Sequence, residues 1–514
     1  MRLTFLVLSK REGGNMEKGY YIKRIVRSII SIFIVITVVF ILVYSLVPRD
    51  RIFNADDTIV KLGGKPDERQ LYKMRTWQRL GYLTFESMSS YCSLTYEVGS
   101  DDIVACNTAG SKDEANFVEK YTNEGYTIEY LPVSGSPIAY KERAIISRVL
   151  EWFGQLIQID NKNFVENTYG VEIEERVYFG RTPTGGLALK CDGCEHKYLL
   201  YTDLSFPFIH QNVLSLHLGQ SYPTFDSLQV LNVITDSQGQ ENRKDTIFED
   251  GHTEVSSLKM TSCRYKPNLD KLDRNRFADN YADCVIQKKS PSMMGTSFIM
   301  GVIALILAYG IGLPVGLAMA KSKSGVVDKI GMVYIIFMIS VPSLAYIYFF
   351  KFIGSTVFGL PSAFPTYGSE DIRSWILPCI SLALPSISSL MLWTRRYMVD
   401  QMNSDYVKFA KSKGLNQGEI YRKHIFRNAI IPIAQGIPSS LAGCLTGAII
   451  TEQVYSVGGM GKMLPDSINS YNNAMIIALA FIYTTISIVA VFAGDIIITW
   501  IDPRISLASK EEGR

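Results

Sequence analysis

The stretch Asp405-Tyr-Val-Lys-Phe-Ala410-Lys-Ser-Lys-Gly414-Leu415-Asn-Gln-Gly-Glu419-Ile-Tyr-Arg-Lys-His424-Ile-Phe-Arg427-Asn-Ala-Ile-Ile-Pro432 is a polar, basic insert between two long apolar runs. It reads as two short helices meeting at a glycine. Ser404 has the chemistry of an N-cap, Asp405 faces the positive end of the first helix, and Gly414 stands where a left-handed C-terminal cap is needed. Asn416 followed by Glu419 has capping-box spacing, so a second helix is expected to start at once and run to about Arg427. Tyr406, Phe409, Ala410 and Lys413 share one face of the first helix. Ala410 and Gly414, four apart, are expected to leave a small-residue notch for another protein's surface.

Lys408, Lys411, Lys413, Arg422, Lys423 and Arg427 crowd positive charge at one membrane-flanking position, which marks the loop as cytoplasmic. The plainer alternative is a basic loop held inside by charge alone. The pattern Ala-x-x-x-Gly, then a helix, then Ile430-Ile431-Pro432 resembles the coupling loop, or EAA motif, of permease subunits of binding-protein-dependent (type I) ABC importers. Lys408-Phe409 replaces the Glu-Ala pair, and Gly414 lies farther from Pro432 than in the sugar branch. Both departures resemble the oligopeptide, dipeptide and nickel branch. The resemblance implies that Asp405, Phe409, Ala410, Gly414, Leu415 and Glu419 couple this chain to cytoplasmic ATPases.

A chain of 514 residues with mean hydropathy +0.11 is too long for one domain and too apolar for an ordinary soluble one. The net charge of +3 hides an asymmetry, because residues 49–290 carry 28 basic against 35 acidic residues while the short loops elsewhere are basic. Nothing in that balance supports nucleic-acid binding. Lys23, Arg24 and Arg27 flank the apolar run Ile25 to Val47, which is long enough to cross a bilayer and lacks a cleavage site. The first fifteen residues are weakly informative, and Met16 is an alternative start. Residues 49–290 contain no span and are expected to form an external α+β domain, helical at Asp113 to Asn123 and Ala144 to Ile159. Strands are expected at Glu172 to Phe179 and Ser227 to Ile234.

Of the eight cysteines, Cys92, Cys106, Cys191, Cys194, Cys263 and Cys284 fall in this polar region. An even set facing an oxidising compartment suits disulfides, with the sequence-local pairing as one of the possible connectivities. Zinc at Cys191, Cys194 and His196 is the rival reading, weakened by the lack of a second ligand pair. His196, His210 and His217 read as hydrogen-bonded histidines rather than catalytic ones.

Five further apolar runs lie near 293–320, 328–353, 373–394, 429–451 and 473–501. Lys321, Lys323 and Lys329, then Arg395 and Arg396, then Arg504 and Lys510 follow alternate runs, while Phe358 to Tyr367 and Val454 to Tyr471 are nearly free of Lys and Arg. Six spans with both termini inside satisfy these flanks. Pro314, Pro342, Pro378, Pro385, Pro432 and Pro438 interrupt the runs, together with Gly310, Gly312, Gly316 and Gly443. Close packing and pathway lining account for them equally well. Charges within the spans are few, notably Asp495, which argues against a proton-coupled carrier.

Asp495 with Asp502-Pro-Arg504, and Thr451-Glu452 with Gly458-Gly-Met-Gly461, resemble the ending and the external turn of peptide permeases, Gly458 standing where proline is usual. The segments His196 to Tyr201, Phe206 to Asn212 and Leu218 to Thr224 resemble the external segment of Gram-positive AmiC/OppB-type oligopeptide permeases. No nucleotide loop, metalloprotease, hydrolase or dinucleotide motif is present, so no catalytic residue, metal or cofactor is assigned to this chain.

The expected fold is a polytopic α-helical membrane protein of six transmembrane helices. It divides into an N-terminal cytoplasmic segment 1–24, a first span 25–48, the external domain 49–290, a membrane domain 291–502 with the coupling loop 395–428, and a tail 503–514. The resemblance implies an oligopeptide importer in a Gram-positive plasma membrane. Its partners would be a second homologous permease, two ATPases using ATP and Mg, a lipid-anchored peptide-binding protein and membrane lipid. Dipeptide or nickel transport, a membrane receptor or sensor, and a stand-alone carrier are the alternatives. The residues touching substrate stay unassigned.

Overall fold

The computed structural model describes residues 14–97, 100–108, 110–159, 176–182, 185–202, 209–235, 244–247, 253–256, 264–266, 271, 280–282, 292–366, 368 and 371–501. Among these, five helical stretches are long and apolar enough to cross a bilayer: Ile22–Leu46, Met293–Lys321, Arg373–Met402, Gln417–Val454 and Asn473–Ile501. The expected straight span at 328–353 is instead two helices, Val326–Ser340 and Ser343–Thr356, bent by 110°. The cause is local. Pro342 restricts the residue before it, and Val341 is extended at φ −85°, ψ 128°.

Helix Arg373–Met402 runs on through Pro378 and Pro385, past the expected end at 394. Arg395 therefore lies inside a helix, not in the loop. Its guanidinium grips Asp328, which is 3% exposed, with Nε 2.5 Å from Oδ1 and Nη2 2.8 Å from Oδ2. Gly312 and Gly316 let helix Met293–Lys321 approach this one closely. An added Cβ at Gly316 would stand 2.8 Å from that of Thr394, and one at Gly312 would stand 3.0 Å from the Ile387 carbonyl oxygen. Packing is the role of these two glycines, whereas Gly310 and Gly443 meet nothing within 4 Å.

Between the first two spans the chain folds as mixed helix and strand. Strands Leu83–Ser87, Pro137–Glu142 and Thr127–Tyr130 form an antiparallel sheet with Pro137–Glu142 in the centre. Arg176–Arg181, Leu187–Asp192, Tyr198–Thr202 and Ile209–Gln211 form a second sheet. The helix expected at Asp113 to Asn123 is Lys112–Asn123. The one expected at Ala144 to Ile159 stops at Gln155 and gives way to strand Ile157–Ile159, paired with Leu214–Leu216. Ser227 to Ile234, expected as a strand, contains helix Val230–Thr235, because Val230, Val233 and Ile234 bury one helical face against the last span. The expected strand Glu172 to Phe179 is seen from Arg176; residues 172–175 lie outside the described residues.

The Cys92 and Cys106 sulfurs are bonded, as are those of Cys191 and Cys194, and Cys263 and Cys284 lie outside the described residues. The second bond removes both thiolates from the zinc reading. His210 stacks on Tyr201 at 5.1 Å, and His217 Nε2 lies 3.3 Å from Ser215 Oγ.

Candidate functional site

The hairpin that follows Met402 is built from local rules. Helix Asp405–Ser412 starts at Ser404, whose backbone is extended as an N-cap requires, although its hydroxyl donates to the Gln401 carbonyl oxygen instead of capping. At the far end Gly414 has φ +76°. The Leu415 N–H donates to Ala410 O at 3.3 Å and the Gly414 N–H to Lys411 O at 3.0 Å, the paired bonds of a Schellman cap. Asn416 then caps the next turn by accepting the Gly418 N–H at 3.1 Å.

The reciprocal half of the expected capping box is missing, because Glu419 turns toward Lys423 at 2.5 Å. The Lys408 ammonium beside the exposed Asp405 holds its carboxyl below the usual carboxylate range. The second helix does not end near Arg427. It passes through a π-helical turn, Ile420–Phe426, directly into Arg427–Gln435 and the next span.

Which face points outward differs from expectation. Ala410 is 4% exposed and packs with Val407, Met398, Ile420, Ile425 and Ala429. The Ala410 side of the notch is filled by this chain itself, since the hairpin needs an apolar face to hold it against the membrane domain, while the space beside Gly414 stays open. Leu415 packs on the same cluster, and the Tyr421 hydroxyl bonds the Leu317 carbonyl oxygen at 2.8 Å. Asp405, Phe409 and Gly414 remain exposed, with Phe409 61% accessible and the Lys413 ammonium 4.4 Å from its ring centre. An exposed phenylalanine beside a lysine is a surface suited to another protein. Sequence reasoning missed Val407 and Tyr421, whose inward direction no local pattern carries.

At the other end of the same spans, Glu452 is 1% exposed. Its carboxylate accepts from Ser297 Oγ at 2.7 Å, the Ala448 N–H at 3.1 Å and the Lys462 N–H at 2.8 Å. Glycine is required around it for space. An added Cβ at Gly459 would sit 2.5 Å from the carboxyl carbon, and one at Gly447 would sit 2.4 Å from Gly461 N. Gly458 meets nothing within 4 Å.

Below Glu452 a cavity of about 340 Å³ opens between Met293–Lys321, Arg373–Met402 and Ile437–Thr446, lined by Tyr309, Ser386, Ser389, Trp393 and Ser440. Its hydroxyls and rings offer hydrogen bonds and stacking, and Glu452 itself is part of the lining. Asp495 has a partner that the sequence did not reveal, the Arg24 guanidinium on the first span. Lys351, also unnoticed, donates to Val454 O at 2.6 Å. Among the described residues no group of three His, Cys, Asp or Glu side chains is placed to hold a metal.

Residues 312–507 match the family of binding-protein-dependent transport system inner membrane components. The chain is 38% identical over 501 residues to the oligopeptide transport system permease protein AmiC of Streptococcus pneumoniae, covering 96% of this chain and 99% of that one. It belongs to this permease family. The dipeptide transport system permease proteins DppB of Lactococcus lactis and of Bacillus subtilis are each 31% identical, over 45% and 42% of this permease and 77% and 68% of their own length. The matched residues 312–507 of the permease contain the hairpin and Glu452. The cavity is lined in part by residues before 312.

Proposed function

We propose that this permease is one half of an ATP-driven oligopeptide importer. The observation that carries the reading is the full-length likeness to AmiC, which takes in the 49–290 insert as well as the membrane domain. In this reading the chain crosses a Gram-positive plasma membrane six times, the bent pair Val326–Ser340 and Ser343–Thr356 serving as the third span. Both termini are cytoplasmic and residues 49–290 are extracellular, as the basic flanks require.

The partners are a second homologous permease, two ATPases and a lipid-anchored peptide-binding protein. ATP and Mg act in the ATPases, and this chain performs no catalysis. Its hydroxyl- and aromatic-lined cavity beneath Glu452 is half of the path, chemistry that accepts peptide backbones of varied sequence. Closure of the ATPases bears on Asp405, Phe409 and Gly414. The half-buried Leu415 and buried Ala410 carry that force into the spans.

Gly414→Asp places a side chain at a positive φ on the outward corner of the hairpin. The complex with both ATPases should still co-purify while ATP-dependent uptake of labelled peptide is lost. Uptake at the wild-type rate with Gly414→Asp would refute the coupling role.

A further inference from the structure

We propose that helix Ile145–Gln155, with the strand ribbon that follows it, is seated in the outer leaflet of the bilayer, and that lipid acyl chains cover its outward apolar face. The inference goes beyond the reading of 49–290 as an external domain, and it rests on Ile22–Leu46 and Asn473–Ile501 being membrane spans.

Depth is the first argument. The Phe153 ring lies 4.9 Å from that of Phe33, next to the midpoint of Ile22–Leu46. The Trp152 ring lies 5.6 Å from that of Phe481, which is eight residues, or about 12 Å at helical rise, inside the outer end of Asn473–Ile501. Val149 packs with Ile36, Phe40 and Ile477 of the same two spans. A helix touching spans at these levels has left the aqueous phase, because the hydrocarbon core is about 30 Å thick.

The distribution of side chains around the helix is the second. Trp152, Val149 and Leu156 face the spans. Ile146 and Leu150, one turn apart, point away from them and are 70% and 58% exposed. The polar residues take a separate arc. Arg148 is 8% exposed, and its guanidinium lies 3.8 Å from the Tyr44 ring centre and 4.3 Å from that of Tyr82. Glu151 pairs with Arg143. This is the pattern of an interfacial helix, whose apolar arc is wider than its seat on the protein.

The ribbon continues the face. Ile157 pairs with Leu216 and Ile159 with Leu214, so all four side chains project to one side of the two strands, with Gln158 and Ser215 on the other. They are 40–59% exposed. In water these side chains, with Ile146 and Leu150, would leave six large apolar groups exposed. Beside a first span that exposes Ile30, Ile34 and Ile41 they prolong its lipid-facing surface. That continuity selects lipid as the occupant over a second protein.

The test places photoreactive benzoylphenylalanine singly at Ile146, Leu150, Ile34 on the first span, and Val133, a 74% exposed position of the insert. The complete transporter is irradiated in its own membranes and the adducts are weighed. Lipid-mass adducts are expected at 146, 150 and 34, and none at 133. Lipid at 34 with none at 146 or 150 would overturn the seating of the helix alone, as would protein adducts at 146 and 150. A lack of lipid at 34 would overturn the span assignment and the seating of the helix with it.

Discussion

The 405–427 hairpin and the turn around Glu452, at opposite ends of the same spans, solve one problem in opposite ways. Each reverses the chain with glycines and carries acidic side chains. In the hairpin Gly414 is needed for its φ of +76°, and the space where a Cβ would go is empty. In the Glu452 turn Gly459 has ordinary extended backbone and is needed for room, because a Cβ would run into the Glu452 carboxylate. The acids differ likewise. Asp405 is open to solvent beside Lys408, whereas Glu452 is 1% exposed and held by hydrogen-bond donors. Conformation governs the exposed turn and volume governs the buried one. The first stays open to solvent, and the second is held in place.

Three substitutions measure that contrast. Glu452→Ala has the largest expected effect on stability. It strands the Ser297 hydroxyl and the Ala448 and Lys462 N–H groups. Each orphaned buried donor costs about 1–3 kcal/mol, so a loss on the order of 4 kcal/mol is expected. Thermal unfolding of the detergent-solubilised complex reads it, and a wild-type Tm would show that the Glu452 turn is not a buried clamp. Gly414→Ala comes next at about 1–2 kcal/mol, the cost of a left-handed backbone carrying a Cβ. A loss as large as that of Glu452→Ala would mean that the hairpin, too, is limited by space. Phe409→Ala has the smallest expected effect, within about 0.5 kcal/mol, since the ring is 61% exposed. Peptide uptake should nevertheless fall sharply while Tm holds. Unchanged uptake would remove Phe409 from the coupling surface.

Much of the hairpin was legible from residue order alone. The break at Gly414 and the restart at Asn416 depend on chemistry within four residues, and the structure has both. Helical spacing places Ala410 on a face without saying which face the rest of the chain covers, and the structure buries it. The second helix continues past the expected end near Arg427 for a related reason. No glycine or proline stands between Glu419 and Ile431, and the π-helical turn lets the helix continue into the span. In the insert, Val230, Val233 and Ile234 have the branched side chains of a strand, yet packing against Met475 and Leu479 makes them one face of a helix.

The sequence by itself determined the apolar runs, their basic flanks and the capped corner between them, because hydropathy and capping act between near neighbours. The tertiary structure alone decided what becomes of the charges and of the insert. Arg395 reaches Asp328 across 67 positions, Ser297 reaches Glu452 across 155, and Asn472 reaches Ser221 across 251. Burial is a property of the assembled surface. Whether a carboxylate is solvated or clamped, and whether an amphipathic helix meets water or spans, depends on groups that chain order does not bring together.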